Sequence, residues 1–345
     1  MARQFGCRAR AWGLRNRREK KLTFMDRRRF LCGCSLLALS ANHAWASPRS
    51  VGFISSSTTD IHSPLLVALR EGLRVHGFEE GKNLEIDYQF ASSRDELPRL
   101  ALHLVQKRVE VILAAGSEGV VAARDTTTTI PIVMTNSGDA VREGFAASLA
   151  RPGGNITGMT QISPELAGKR VEMLREIFAD LKQIGIFWNP AHPNTPITFR
   201  EATAATAKIG LVPLSFEASA PEEVETQLFK AAEQKVRAFL VIRDPFTVRH
   251  RVKIVNGLHR HAMLAIFETP EFVDVGGLMS FGADFAQLFR QSATYVVQIL
   301  KGASPADLPI QQPTKFSLVI NTRVGRERRI AIPQSLLVRA DEVIE

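Results

Sequence analysis

Cysteine is scarce in this chain of 345 residues, and all three cysteines, Cys7, Cys32 and Cys34, fall within the first 34 positions. The chain after residue 46 therefore has no thiol for a disulfide, a nucleophilic thiolate or a cysteine metal site. It also lacks an apolar run of about 18 residues, the length that a membrane helix needs. We therefore expect residues 47–345 to be a globular domain pair without disulfides and without a membrane span.

Motifs of catalytic sites are also missing. The chain contains no GxxxxGK[ST] phosphate loop and no GxSxG nucleophile elbow. Gly116-Ser117-Glu118-Gly119 follows a strand-like run, but it departs from the GxGxxG pattern of dinucleotide-binding sites. His259 and His261 are two positions apart and would diverge on a helix, which argues against a metal site. The sequence predicts no enzyme, no metal and no cofactor.

The excess of positive charge is confined to the beginning of the chain. The formal net charge is +9, from 44 Lys and Arg against 35 Asp and Glu. Residues 1–46 hold 11 of the basic and 2 of the acidic residues, which leaves 33 of each in the rest. A neutral domain pair gives no indication of nucleic acid as a partner.

The first 46 residues resemble an export signal. Arg27-Arg28-Arg29-Phe30-Leu31 fits the twin-arginine pattern, and an apolar run then leads to Ala44-Trp45-Ala46, a small-x-small cleavage site. We expect translation to start at Met25, cleavage near Ala46 and a periplasmic mature protein. Leu31-Cys32-Gly33-Cys34 looks like a lipoprotein box, but the apolar run follows it instead of preceding it, which argues against a lipid anchor.

Apolar runs alternate with amphipathic stretches throughout the rest of the chain. Strand-like runs occur at 50–54, 84–90, 109–115 and 130–134, and again at 184–188, 211–216, 238–242 and 264–267. Helical spacing separates them, with one helix expected to begin at Ser63-Pro64 and others at 163–177, 196–209, 221–236 and 246–261. This alternation predicts parallel sheets with right-handed crossovers.

The two series of strands predict two Rossmann-like lobes. The turn-rich segment 151–158 is suited to a first crossing between them, and the extended runs 276–282 and 316–320 flank a strongly periodic helix that suggests further crossings. We assign residues 47–158 with about 282–312 to lobe one, and about 159–277 with about 320–345 to lobe two. A hinge of several segments permits closure around a ligand.

Ligands of parallel α/β sheets bind outside the carboxyl ends of the strands, where loops and helix N-termini meet. Small polar residues there suit an anionic group, acidic residues suit an ammonium group, and aromatic residues supply an apolar wall. Each also has a structural alternative: Ser117 is a helix-cap residue, Asp244-Pro245 a turn, and Trp188 a core residue. The candidate ligand-binding residues are Ser56, Ser57, Gly116, Ser117, Asn136, Asp139, Asn189, Asp244, Glu268 and Phe281.

Several longer segments together resemble a known family. They are LARPGGNITG (149–158), ELAGKRVEMLREI (165–177), WNPAHP (188–193), GGLMSFGAD (276–284), YVVQILKGASPADLPIQQPTKFSLVIN (295–321) and LLVRADEVIE (336–345). In this order they look like the ABC-transporter substrate-binding proteins that include the tryptophan-binding TrpX type. The resemblance implies a type I periplasmic-binding-protein fold with three crossings, and delivery of a small solute to an inner-membrane permease with its ATPase.

The resemblance also bears on single positions. Gly116 and Ser117, the acid of Gly138-Asp139-Ala140, Asp244-Pro245 and Phe281 match family site positions. The chain departs from the family at 323–330, where Arg328-Arg329 replaces an apolar contact and a glycine helix end, so the helix expected there is in question.

The sequence thus predicts a monomeric solute receptor, with amino acids as one candidate ligand class. Two alternatives stay open. A periplasmic sensor for a signalling receptor would have the same lobes, and a secreted cofactor-dependent enzyme would also use twin-arginine export.

Overall fold

Strands and helices alternate in a computed structural model, which describes residues 47–345 apart from Thr58 and Ile162. It does not describe the side chains of residues 59–63 and 163–165. The described residues belong to one compact unit. The leader and its predicted export signal lie outside the described residues.

Twelve strands and eleven α-helices are assigned in the described residues. The strands are β1 (Arg49–Ser55), β2 (Leu84–Phe90), β3 (Val111–Ala115), β4 (Ile132–Ser137), β5 (Ile156–Thr160), β6 (Gln183–Trp188), β7 (Val212–Glu217), β8 (Ala238–Val241), β9 (Leu264–Phe267), β10 (Met279–Ala283), β11 (Phe316–Asn321) and β12 (Glu342–Ile344). The helices are α1 (Thr59–Val75), α2 (Leu97–Gln106), α3 (Gly116–Thr126), α4 (Ser163–Ile177), α5 (Thr195–Lys208), α6 (Pro221–Glu233), α7 (Pro245–Arg249), α8 (Arg251–Arg260), α9 (Phe285–Leu300), α10 (Thr322–Glu327) and α11 (Gln334–Leu337).

The strands form two sheets, which confirms the predicted α/β fold class. The first is wholly parallel, in the order β2-β1-β3-β4-β5. The second has the order β12-β11-β10-β9-β8-β6-β7, and within it only the β10–β11 pair is antiparallel. Strands β3 and β4 are buried at every position, as expected of a parallel sheet covered by helices on both faces.

We call the first sheet with α1, α2, α3 and α9 lobe one, and the second sheet with the other helices lobe two. The chain passes from lobe one to lobe two after β5, returns after β10, and passes back again between α9 and β11. Leu288, Phe289 and Ala293 of α9 are buried together with Leu69 and Leu73 of α1. Three crossings therefore join the lobes, as the family resemblance implies, and we keep the predicted residue boundaries of the lobes as a proposal.

Several predicted elements differ from the structure at their ends. Helix α1 begins at Thr59 instead of Ser63, so Pro64 lies inside it and removes one backbone hydrogen bond. The helix predicted at 246–261 is divided at His250 into α7 and α8. The segment 151–158 is only partly a turn, because Ile156 begins β5 and the crossing follows that strand.

The doubtful segment at 323–330 does form a helix, α10. Its end is closed by a hydrogen bond of 2.8 Å from the Ile330 amide to the Gly325 carbonyl, with Arg329 in the left-handed region at a φ of 55°. This is the conformation that a glycine normally adopts at a helix end. No helix in the described part of the chain has the length and apolarity needed to traverse a lipid bilayer.

Candidate functional site

A narrow polar cavity lies between the lobes, where carboxyl ends of strands from both sheets meet. Lobe one contributes residues at or directly after the carboxyl ends of β1, β3, β4 and β5, namely Ser55, Ser56, Ser57, Ala115, Gly116, Ser117, Glu118, Asn136 and Gln161. Lobe two contributes His192, Asn194, Arg243, Asp244 and Pro245. Six of the ten predicted residues line this cavity: Ser56, Ser57, Gly116, Ser117, Asn136 and Asp244.

The wall from lobe one is built around the start of α3. Gly116 has a φ of +76°, which lets the helix begin directly after β3, and its amide donates to Asn136 Oδ1 at 3.1 Å. Ser117 Oγ accepts a hydrogen bond of 3.1 Å from the Gly138 amide. The first turn of a helix has backbone N–H groups without intrahelical partners, and its dipole favours anions. This wall therefore suits a carboxylate.

The wall from lobe two is held by a hydrogen-bonded group around Asp244. Asp244 Oδ1 accepts from the Thr247 amide at 2.8 Å and thereby caps α7, while Oδ2 accepts from Asn189 Nδ2 at 2.6 Å. Asn189 Oδ1 in turn accepts from the Ala191 amide and from Ser219 Oγ. Asn189 thus lies behind Asp244 and positions it, and much of the acceptor capacity of Asp244 is already used inside lobe two.

His192 is a lining residue of this wall that is 8% exposed. Its Nδ1 accepts from the Asn194 amide at 3.3 Å, which leaves the proton on Nε2. Burial lowers the pKa of His192 below its usual value of 6.5, more than the nearby Asp244 and Glu118 raise it. His192 is therefore a neutral donor at neutral pH.

Asp139, Glu268 and Phe281, three of the predicted residues, do not line the cavity. Asp139 accepts from the amides of Val141 and Arg142 and pairs with the Arg142 guanidinium at 3.3 Å. Glu268 is 5% exposed and lies 3.6 Å from Arg170, whose side chain is 1% exposed. The ring of Phe281 packs near that of Phe316, with 6.3 Å between their centroids.

Trp188 is a core residue, which is the structural alternative considered for it in the sequence analysis. It stacks on Phe199 with 4.4 Å between the ring centroids, and its Nε1 donates to Ser215 Oγ at 2.9 Å. It contributes no wall to the cavity.

Arginine side chains connect the two lobes across the cleft. Arg94 of lobe one donates to the Ala191 carbonyl at 3.0 Å, and Arg249 of lobe two donates to the Ser56 carbonyl at 3.2 Å. Arg142 of lobe one pairs with Glu201 of α5 at 2.9 Å. These contacts exist only while the lobes are together, so the structure is a closed conformation.

The closed cavity is small. Its volume is about 30 Å³, whereas sites for small molecules typically enclose ~300–1,000 Å³. A second, more apolar cavity of about 310 Å³ on the same measure adjoins it and shares Arg243. Its walls include Pro64, Leu65, Pro270 and Phe285, and the Arg243 guanidinium lies 4.7 Å from the centroid of the Phe285 ring. An amino-acid-sized ligand therefore needs the cleft to rearrange.

The candidate ligand-binding residues predicted from the sequence do not include Gln161, His192, Asn194 or Arg243. His192 and Asn194 lie in and just after the WNPAHP segment, and Arg243 directly precedes Asp244, so their position after strands was a usable signal. Glu143, which lies beside Ser117 and Asn194, was also missed. It carries no sequence signal, because a single glutamate in a polar loop is common.

The fold and the site define a two-lobed solute-binding protein. Comparison with known proteins agrees: the family described as "ABC transporter substrate binding protein" matches residues 63–344, and the chain belongs to that family. Its members are solute-binding proteins and not enzymes, so the enzyme alternative falls away. In the described residues, no group of three or more His, Cys, Asp or Glu side chains is placed to hold a metal ion.

Similar proteins are known in sequence and in structure. A tyrosine-binding protein of Clostridioides difficile (strain R20291) is 25% identical over 255 residues, which are 73% of this chain and 72% of the relative. A conserved domain protein of Vibrio cholerae has a TM-score of 0.82 at 27% identity, over 86% of this chain and all of its own. An ABC domain of Streptococcus pneumoniae solved with L-Trp has a TM-score of 0.81 at 24% identity, with the same coverage.

Proposed function

We propose that this protein is the extracytoplasmic receptor of an ABC import system and that it captures an amino acid between its lobes. The observation that carries the proposal is the polar cavity at the strand ends of both lobes, which arginine contacts close from both sides. The family supports a solute receptor. The tyrosine-binding and L-Trp-bound relatives support an amino acid, in particular one with an aromatic side chain.

The chemistry of the cavity supports the same ligand class. The start of α3 and the hydroxyls of Ser56, Ser57 and Ser117 would hold the ligand carboxylate, and Asn136 supports that wall by accepting from Gly116. Acidic residues on both sides, Asp139 and Asp244, are candidates for its ammonium group. The adjoining apolar cavity, on the other side of Arg243, is suited to the ligand side chain.

The remaining predicted residues would act from behind the walls. Asn189 holds Asp244 in place, Glu268 accepts from the Arg243 amide at 3.3 Å, and Phe281 accepts through its carbonyl from Arg170 at 2.7 Å. We propose a monomeric periplasmic protein, exported by the twin-arginine signal and cleaved near Ala46, that delivers its ligand to an inner-membrane permease with its ATPase.

A thermal-shift screen of residues 47–345 tests the proposal. The protein is unfolded and refolded to remove any carried ligand and is then heated with amino acids, sugars, carboxylates and nucleobases. A ligand that binds the native state alone adds about 4 kcal/mol at a thousandfold excess over its Kd, which raises Tm by several degrees. We expect amino acids to shift Tm, and a shift with another class alone would overturn the ligand assignment.

Transport and sensing are separated in the cell. Deletion of the gene abolishes uptake of the radiolabelled ligand if the protein serves a permease. Unchanged uptake with a lost transcriptional response would identify a sensor instead.

A further inference from the structure

The carboxyl group of Glu143 is buried near the cleft and has no ion-pair partner among the described residues. Glu143 lies in the loop after β4 in lobe one, and both of its side-chain oxygens are shielded from solvent. Neither oxygen has a hydrogen-bond partner of normal geometry among the described residues. Buried carboxylates are normally paired or hydrogen-bonded, so this arrangement is costly unless something else completes it.

A second acceptor without a partner faces Glu143 from the other lobe. Asn194, which lines the cavity at the start of α5 and is 6% exposed, has its Oδ1 buried and unbonded in the described structure. Glu143 Oε1 and Asn194 Oδ1 both lie close to Gly138. Each is within 2.7 Å of the position that a Cβ atom on Gly138 would occupy. Two acceptor oxygens, one from each lobe, thus come together at the edge of the cavity, and neither has a hydrogen bond of normal geometry among the described residues.

The electrostatic state of Glu143 reflects this shortage of donors. Burial raises its pKa from 4.5 to about 7, and the negative charge of Asp139 adds to the rise. The adjacent Ser117 hydroxyl offsets only part of it. A positive charge placed at this point would favour the ionised carboxylate and remove the cost.

The other acids near the cleft have partners of their own. Asp139 is occupied by backbone amides and Arg142, Asp244 by Thr247 and Asn189, and Glu268 by Arg170 and the Arg243 amide. Glu118 lines the cavity, and its carboxyl oxygens are not among the shielded, unbonded atoms of the described residues. Glu143 therefore has most to gain from a cationic ligand group.

We propose that Glu143 and Asn194 form the subsite for the ammonium group of the ligand. An ammonium group has three N–H donors, which match the two carboxylate oxygens and the amide oxygen. Glu143 is contributed by lobe one and Asn194 by lobe two, so a bound ammonium group joins the lobes and stabilises the closed form. This inference rests on the proposed function and assigns its amine specificity to Glu143 instead of Asp139 or Asp244.

Calorimetric binding of paired ligands tests the subsite. The probes are L-tryptophan and L-tyrosine, each beside its deamino analogue, 3-(indol-3-yl)propionate and 3-(4-hydroxyphenyl)propionate. The proteins are residues 47–345 of the wild type, Glu143→Gln, and Glu172→Gln as a control. Glu172 is paired with Lys169 on the surface of α4, so the control removes the same charge from an exposed pair that does not line the cavity.

The expected result is a selective loss. A hydrogen bond to a charged group contributes enough that Glu143→Gln should weaken binding of the amino acid by about 10- to 100-fold. The mutation leaves the deamino analogue within about twofold of the wild type, and the control variant binds both as the wild type does. Asn194→Leu provides a second variant. We expect it also to lose affinity for the amino acid and not for the deamino analogue, by a smaller factor than Glu143→Gln.

Other outcomes overturn the subsite. An equal loss for both ligands of a pair would show that Glu143 acts on closure or folding, and unchanged affinities would place the ammonium group elsewhere. Wild-type protein that binds amino acid and analogue equally would also overturn the inference while leaving a solute receptor intact. If the wild type binds none of the four probes but responds to another solute class, the amino-acid function itself is wrong.

Discussion

The two walls of the cleft satisfy their charged groups to different degrees. In lobe two, Asp244 and Glu268 are held by Asn189, Thr247 and Arg170. In lobe one, the loop after β4 buries the Glu143 carboxyl with no partner of normal geometry in the described structure. Charged groups with partners inside the protein keep the shape of a wall, whereas acceptors without hydrogen bonds can accept them from a ligand. The difference is consistent with the proposed subsite, in which Glu143 of lobe one and Asn194 Oδ1 of lobe two meet the ligand while Asp244 and Glu268 keep the shape of lobe two.

The largest expected effect is the loss of stability on removal of the buried Arg170–Glu268 ion pair of lobe two. Glu268→Ala removes the carboxylate beside the fully buried Arg170 and leaves that charge poorly compensated. Removal of one partner of a buried ion pair typically costs about 3–5 kcal/mol, and we expect the free energy of unfolding in urea to fall by that amount.

Glu271→Ala is the matched control. Its partner Arg243 is 12% exposed and Glu271 itself 25% exposed, so water replaces much of the lost interaction. We expect a loss of about 1 kcal/mol or less. Equal losses for the two variants would contradict the view that lobe two depends on its buried pair.

The next effect is a dependence of folding stability on pH, caused by Glu143 in lobe one. The pKa of Glu143 is raised to about 7 by burial, so the folded protein holds a proton that the unfolded chain releases above about pH 4.5. The Glu143 contribution to stability is therefore greatest below pH 4.5, and it is lost as pH rises through about 7. The loss between pH 4 and pH 8 is roughly 3 kcal/mol.

This contribution is measured by urea unfolding of the wild type and of Glu143→Gln at pH 4 and pH 8. It is the difference between the two proteins in how much their free energy of unfolding changes between these pH values. We expect the variant to lack that part of the pH dependence and to be the more stable of the two at pH 8. The same pH dependence in both proteins would show that Glu143 is ionised and satisfied in the folded state.

A smaller effect tests the contacts that bring the walls together. Arg249→Ala removes the donor to the Ser56 carbonyl and so favours the open form. A loss of about 1 kcal/mol corresponds to about fivefold weaker ligand binding, measured by calorimetry. Arg326→Ala, on the exposed helix α10, is the control and should bind as the wild type does. A larger loss in Arg326→Ala than in Arg249→Ala would count against closure through the arginine contacts.

The smallest effect lies in lobe two outside the cleft walls. Arg329→Gly relieves the left-handed conformation at the end of α10, which costs a non-glycine residue about 1 kcal/mol. We expect Tm to rise by a few degrees with ligand affinity unchanged. Arg328→Gly, at a φ of −92°, gains no such relief and should not raise Tm. A change in affinity in Arg329→Gly would show that lobe two is less rigid than its hydrogen bonds indicate.

Local sequence patterns were sufficient for most elements. Segment 84–90 was predicted as a strand and 163–177 as a helix, and both have those bounds in the structure. They succeeded because the period of apolar residues matches the period of the backbone. The start of α1 was wrong because a proline was interpreted as a first-turn residue, whereas the helix extends beyond it toward the N-terminus. Helix α10 was doubted because a glycine was missing, yet Arg329 adopts the conformation without it.

The sequence by itself determined the class of fold and the edge of each sheet at which the site lies. Alternating strands and helices impose parallel sheets, and the loops after parallel strands must meet at one edge. Only the tertiary structure decided which acids near that edge are free to meet a ligand. Glu268 is satisfied by Arg170 and Asp244 by Asn189, partners far away along the chain, while Glu143 has the Ser117 hydroxyl beside it and no ion-pair partner among the described residues. Charge pairing depends on distances in space that no spacing along the chain specifies.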